Sequence, residues 1–324
     1  MTPRGTMLVT RQEIRTRLRT GRWKTLLAVW FLVVNGFGLL FRLSLGTDDS
    51  FSDHDKPGVP MFGGMLLGVL VLTLLITPAL SGQSINGDRE RGTLATLQLT
   101  RLTPGDIALG KLAAAWGTGL LALLLTLPSV LFPVLEGAVG IGRAAVVLVV
   151  TTLLIGVVCA VSQAWSAVLA RSITSVLMSY LTVFALLAGT PLLFMIATPL
   201  TADPPTERRD YSVQHTERVW WLLAPNPVVV LADAAPRLSE RRISYGGDVV
   251  RSESSNDPLG ELSREVRDIR QGPDHDEHDA KTSGYTVWTY GLLFDLALAT
   301  GAVVLTARRL RTPVERIPRG VRVA

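Results

Sequence analysis

The sequence predicts an all-α, polytopic membrane protein with six transmembrane helices, cytoplasmic N- and C-termini, and a long external loop between spans 5 and 6. Three observations carry this. The 324-residue chain is 48% hydrophobic and only 18% charged, against about 25% charged residues in an ordinary soluble protein. The charge is clustered, and residues 61–80, 112–135, 144–170 and 172–200 hold none. A helix needs about 20 apolar residues to cross the hydrocarbon core. Each of these runs is long enough, and four such helices exceed what a soluble core buries.

Residues 1–24 form a cytoplasmic basic amphipathic segment. They carry Arg4, Arg11, Arg15, Arg17, Arg19, Arg22 and Lys24 against Glu13 alone. Met7, Ile14 and Leu18 fall on one helical face, the pattern of a helix lying in the membrane interface. Transmembrane spans 1–5 then occupy residues 25–200. The first, 25–46, carries Asn35 and Arg42; its length, and the lack of a small-x-small cleavage site, favour an uncleaved signal anchor. Span 6, residues 285–307, carries Asp295 near its middle. A charge there costs roughly 2.5–3.5 kcal/mol on insertion scales, which flanking Leu, Val and Phe offset.

An even number of spans puts both termini on one side. The basic opening segment and the basic tail 308–324, with six Arg against Glu315, contrast with the acidic stretch 47–56. The positive-inside rule therefore places the termini in the cytoplasm. The net charge of +5 reflects these ends facing anionic lipid, and no nucleic-acid partner is expected.

The extracytoplasmic loop 201–284 holds 16 acidic and 11 basic residues. Within it, "RVWWLLAPNPVVVLADA" (218–234) is too broken by Pro225 and Pro227 to be a seventh span. Its tryptophans favour the headgroup level, so an interfacial or re-entrant hairpin is expected. In "NDPLGELSREVRDIRQGP" (256–273), Asp257 can cap a short helix, Pro258 suits its first position and Gly272–Pro273 end it. Leu259, Leu262, Val266 and Ile269 make an apolar stripe that must pack on something. The stretches 246–256 and 271–284 look like solvated linkers.

Cys159, inside span 4, is the only cysteine, so no disulfide forms within the chain. His275 and His278 in "DHDEHD" suit a solvated acidic loop better than a metal site. His54, His215, His275 and His278 all fall in expected external loops. With no catalytic constellation of Ser, His and Asp, and no H-E-x-x-H, the chain is not expected to be an enzyme. No cofactor or metal is expected to bind it. Inside the spans, Asp295 is expected to pair with Arg42, both lying in the outer half of the membrane. Asn35, Ser162 and Gln163 are expected to hydrogen-bond between helices. Gly63, Gly64, Gly68 and Gly189 permit close helix packing.

The segment between spans 2 and 3, residues 81–110, is the most informative. It ends in "GDIALGK" (105–111), which has the G-x-x-x-x-G-K spacing of a phosphate-binding loop. Leu112 follows where that motif needs Ser or Thr. Thr103, Pro104 and Asp106 instead read as the cap, first position and capping-box acid of a helix that has already begun. Ahead of it, "INGDRERGTLATLQLTRLTP" groups Asp88, Arg89, Glu90 and Arg91, then Gly92, then Leu94 and Leu97 at helical spacing. A plain connector needs few residues. This one is about thirty residues long and suits a surface presented to a partner, with charges setting register and leucines supplying burial.

These residues resemble the permease subunits of ABC-2 type ABC transporters. The family pattern of E-R, then G-T-L-x-x-L, P and G-K is similar to Glu90, Arg91, Gly92, Thr93, Leu94, Leu97, Pro104, Gly110 and Lys111 here, with Gly92 following Arg91 directly. The six spans, cytoplasmic ends and leading basic helix are similar as well. The resemblance implies that Asp88, Arg89, Glu90, Arg91, Gly92, Thr93, Leu94 and Leu97 couple to a separate cytoplasmic ABC ATPase subunit, which alone uses ATP. It implies an exporter of the bacterial inner (plasma) membrane. Six helices are too few to wrap a sizeable path, so a second permease copy or a paralogue is expected beside the first. The expected mechanism is alternating access. Two other readings are a non-transporting anchor or sensor whose external loop binds a ligand, and a membrane-interface enzyme using residues 201–284.

Overall fold

Helix α1 (Pro3–Arg19) and helix α2 (Gly21–Gly46) open the chain, and α3 (Gly58–Ser81) follows. Two short helices, α4 (Asn86–Glu90) and α5 (Thr93–Gln98), lead to α6 (Pro104–Leu135) and α7 (Ile141–Val168). Helix α8 (Ser172–Phe184) passes through a π turn (Ala185–Gly189) into α9 (Thr190–Ala197). Then come α10 (Pro227–Ala234), α11 (Pro258–Gln271) and α12 (Trp288–Arg311). The computed structural model describes residues 2–19, 21–46, 58–98, 102–203, 213–236, 238, 241–245, 248–252, 257–272 and 286–311. The acidic stretch 47–56, the His275–His278 loop and the tail after 311 lie outside the described residues.

Six helical stretches are long and apolar enough to cross a membrane: Trp23–Ser44, Gly58–Glu90, Pro104–Leu135, Ile141–Val168, Ser172–Thr201 and Trp288–Arg311. That is the make-up of a multi-pass membrane protein. Helix α7 is the central post, packed by α12, α3, α6, α8 and α10, while α1 lies on α6. Leu66, Leu70, Leu74, Val147 and Leu154 form its core with Val230, Leu231 and Leu259 from outside the spans. Helix α2 and the 172–201 stretch expose Leu32, Leu39, Leu40, Leu177, Leu181 and Met195, a face suited to lipid.

Side-chain amides from neighbouring segments meet the backbone at two of the prolines in these helices, which helps membrane-spanning helices tolerate them. Pro191 has no N–H to give Leu187, four residues back. Asn226 Nδ2 donates to that Leu187 carbonyl at 3.0 Å and to Thr190 Oγ1 at 2.9 Å. Asn35 meets α6 beside Pro128: its Nδ2 donates to the Leu125 carbonyl at 2.9 Å, and its Oδ1 accepts from Ser129 Oγ at 2.8 Å. Gln163 Nε2 reaches the Ala108 carbonyl at 2.8 Å. These are the interhelical bonds expected of Asn35 and Gln163.

The expected Arg42–Asp295 pair does not form. Arg42 pairs with Glu136 at the end of α6, 3.0 Å away. Helix α2 packs on α6, α3 and α1, whereas α12 packs on α7, α6 and α10. The two residues therefore belong to different sides of the bundle.

The region after the fifth long helix is more integrated than an interfacial hairpin. Helix α10 is buried along most of its length, Val230, Leu231 and Ala232 completely. It starts where Asn226 caps it by accepting from Val228 N at 2.9 Å. Helix α11 carries the expected stripe inward, with Leu259 and Val266 buried and Gly272 ending it at φ +82°. Asp257 stands at the cap position but makes no side-chain cap bond. Its carboxylate is drawn to the Arg143 guanidinium at 2.7 Å, a buried pair that ties α11 to α7. Asp233, on α10, accepts from Ser263 and Arg267 of α11 and from the Val287 and Trp288 amides at the start of α12. Part of the expected linker is a β-hairpin, β3 (Arg241–Tyr245) with β4 (Asp248–Ser252); a shorter one pairs β1 (Ala202–Asp203) with β2 (Val213–Gln214).

Candidate functional site

The end of the bundle holding Thr2 and Leu310 is organised around α4 and α5. Helix α6 begins as its sequence dictates. Thr103 Oγ1 accepts from Asp106 N at 3.2 Å, and Asp106 Oδ2 accepts from Thr103 N at 3.1 Å. "GDIALGK" is therefore helical throughout, and its Gly and Lys serve packing. A Cβ on Gly110 would lie 2.6 Å from Val9 Cβ and 3.0 Å from the Thr6 carbonyl oxygen, so α1 crosses α6 at closest approach there. Thr10 Oγ1 donates to the Gly110 carbonyl at 3.1 Å, and Thr2 N donates to Asp106 Oδ1 at 2.7 Å. The buried face of α1 thus runs through Gly5 and Val9, while Met7 is exposed. Nothing is described for the Leu18 side chain.

Lys111, the residue of α6 after Gly110, is 2% exposed and meets two carboxylates, Asp88 Oδ2 at 2.5 Å and Glu13 Oε1 of α1. Arg91 Nη2 bonds the other oxygen of Asp88 at 3.0 Å. A buried ammonium is tolerated because it is paired on both sides. Arg17, on the same side of α1, donates to Thr118 Oγ1 at 3.2 Å and to the Leu80 carbonyl at 3.4 Å. Between α1 and the α3–α4 turn lies a groove of 860 Å³ whose lining includes Glu13, Arg17, Trp23, Asp88 and Arg91.

Helix α4 is tied to three other helices, with Asp88 on Lys111 of α6, Asn86 and Arg89 reaching α7, and Glu90 reaching α8. The Ile85 and Asn86 amides donate to Ser166 Oγ of α7 at 3.1 and 3.0 Å. Arg89 bonds Asn86 Oδ1 at 2.9 Å and the Leu169 carbonyl at the end of α7. Glu90 Oε1 accepts from Ser172 Oγ at 2.6 Å, at the first turn of α8. Gly92, at φ +72°, turns the chain into α5. From there Leu94 is buried with Ile85, Ile107, Ala167 and Leu310, and Leu97 packs at the edge of that cluster. Gln98 Nε2 donates to the Leu310 carbonyl of α12 at 3.2 Å.

The eight residues singled out from the sequence thus divide. Glu90, Arg91, Gly92 and Thr93 are exposed and form the tip. Asp88 and Leu94 are buried; they fasten the segment and present no surface. The burial follows from the shortness of α4, whose first turn is held against Ser166. Glu13 and Lys111 are partners that sequence reading missed. The signal was available: Gly5, Val9 and Glu13 recur every fourth residue, marking the face of α1 that seats on Gly110 and Lys111. Asn35 and Arg42 bind α6, and Asp295 is buried on α12 apart from this site. Among the described residues no group of His, Cys, Asp and Glu is assembled that could hold a metal ion.

The bundle and its tethered tip define a six-helix membrane protein with a small polar surface at one end. Set against known proteins, the chain matches no protein-family model and no curated protein.

Proposed function

We propose that this chain is the membrane-spanning permease subunit of an ABC-2 type transporter. A separate ATPase docks on the 81–110 segment, and both termini lie in the cytoplasm. One observation carries the reading. The exposed tip at 90–93 is the end of a five-residue helix bonded to α6 through Lys111, to α7 through Ser166, and to α8 through Ser172. Through Lys111 it also reaches Glu13 of α1. A displacement imposed at the tip is therefore shared among four helices, α1, α6, α7 and α8. A passive connector has no need of such tethering.

The carrier works as an exporter in the bacterial inner membrane, beside a second copy or a paralogue. It switches between inward- and outward-open states as the ATPase closes. ATP is consumed by the partner alone. The test is purification of the tagged chain from its native membrane in a gentle detergent, with co-purifying proteins identified by mass. A near-stoichiometric ATP-binding subunit supports the reading; its absence from an intact preparation overturns it.

A further inference from the structure

Asp295 is the eighth residue of α12, on the helix's buried face, and is 1% exposed. Neither carboxylate oxygen has a hydrogen-bond partner. Every other acid buried in this bundle is answered. Asp88 has Lys111 and Arg91, Asp106 has the Thr2 and Thr103 amides, Asp233 has Arg267, and Asp257 has Arg143. Asp295 alone among the described buried acids has neither cation nor donor.

Helix α12 packs on α7, α6 and α10. The titratable side chains these carry are Arg143 and Cys159 on α7, Asp106 and Lys111 on α6, and Asp233 on α10; α12 itself adds Tyr290, Arg308, Arg309 and Arg311. Arg143, Asp106, Lys111 and Asp233 are committed to the partners just named, and the arginines of α12 sit in its last turn. None of these groups bonds Asp295. An ionised carboxylate left so placed pays the full cost of desolvation with nothing in return.

We propose that Asp295 is a proton-binding site within the helix bundle, and that the carboxyl carries its proton in the conformation described. A proton is the ligand that fits. It needs a single oxygen, whereas a metal cation requires several oxygen ligands, and no such set is assembled among the described residues. A cation from a second chain has no access, because the carboxyl is buried by its own helices. A bundle movement that admits water between α12 and α7 lets the proton leave, so rearrangement of these helices is linked to proton exchange. The inference stands apart from the proposed ATPase coupling, and its test involves no partner.

The full-length chain in dodecyl maltoside is treated with dicyclohexylcarbodiimide, an apolar reagent that reacts with protonated carboxylic acids, and the adducts are mapped by peptide mass. A parallel sample receives a water-soluble carbodiimide with an amine. Asp295 is labelled by the apolar reagent and spared by the soluble one, which labels exposed acids such as Asp203. Infrared spectra of the wild type contain a protonated-carboxyl carbonyl band that Asp295→Asn removes. No apolar adduct at Asp295, or equal labelling by both reagents, overturns the proposal. A band unchanged in a folded Asp295→Asn protein overturns it as well. Should that variant not fold, the labelling of the wild type decides alone.

Discussion

Lys111 Nζ lies 2.5 Å from Asp88 Oδ2, so the lysine of helix α6 and the aspartate of the short helix α4 form one buried ion pair, with Glu13 of α1 on the other side of the ammonium. Three segments that are distant in sequence meet at this one cation. Removing it alone leaves two carboxylates facing each other with little water. Lys111→Met is expected to destabilise the protein by about 3–5 kcal/mol, the usual cost of breaking a buried pair from one side. Adding Asp88→Asn and Glu13→Gln should recover most of that loss, because no stranded charge remains. Thermal unfolding of the purified single and triple variants measures both. Equal destabilisation of the two would show that the lysine acts through packing alone.

Gly110 tests the seat of α1. A side chain there meets Val9 and the Thr6 carbonyl, and overpacking of this kind costs about 1–3 kcal/mol. Gly110→Leu should lift α1 from α6 and speed trypsin cleavage at Arg11 and Arg15, whose side chains are exposed but whose backbone is held in the seated helix, with Gly110→Ala intermediate. Unaltered cleavage kinetics would contradict the seating described.

At the opposite end, Asp233 accepts from the Val287 and Trp288 amides and from Arg267. Asp233→Ala removes the buried partner of the half-buried Arg267 side chain, and the expected destabilisation is about 3 kcal/mol. The clearest readout is local. Hydrogen exchange at Val287 and Trp288 should accelerate well before the rest of α12.

His215 gives a pH dependence. Its ring nitrogens lie 2.7 Å from Glu217 and 2.9 Å from Asp203, and these hydrogen bonds raise its pKa above the ordinary imidazole value. A raised folded value means that the contribution is fully present below the ordinary value. It is lost as pH rises through the raised one. Protection of the 213–218 backbone, corrected for intrinsic exchange, should therefore fall on going from mildly acidic to alkaline pH. His215→Phe should abolish that change, and a change that persists in the variant would assign it to another group.

Four of the six long helices were legible because each holds an apolar run without charge, and the other two because a mostly apolar run of span length outweighs Arg42 or Asp295, signals that depend only on length and composition. The start of α6 was legible because Thr103, Pro104 and Asp106 act within one turn. Long-range pairing was not. Arg42 was expected to find Asp295, and only the packing order of the helices shows that Glu136 is the acid within reach. Asp257 carried a correct cap position and a wrong role, since local rules take no account of an arginine more than a hundred residues away. In the 81–110 segment, the charge pattern singled out the residues from Asp88 to Leu97. It did not distinguish the exposed tip from Asp88 and Leu94, which hold the tip in place. That division depends on Lys111 and Ser166, whose relevance appears only when the helices are assembled.

The most direct test of the proposed coupling is site-specific photo-cross-linking in native membranes. A photoreactive amino acid is placed at Arg91, in the exposed tip, or at Trp221, exposed on the 220–222 turn beyond α9. The account predicts that Arg91 yields a cross-link to an ATP-binding subunit, strengthened or weakened by nucleotide, and that Trp221 yields none. An ATP-binding subunit captured from Trp221, or a tip that captures nothing while the protein is intact, would contradict it.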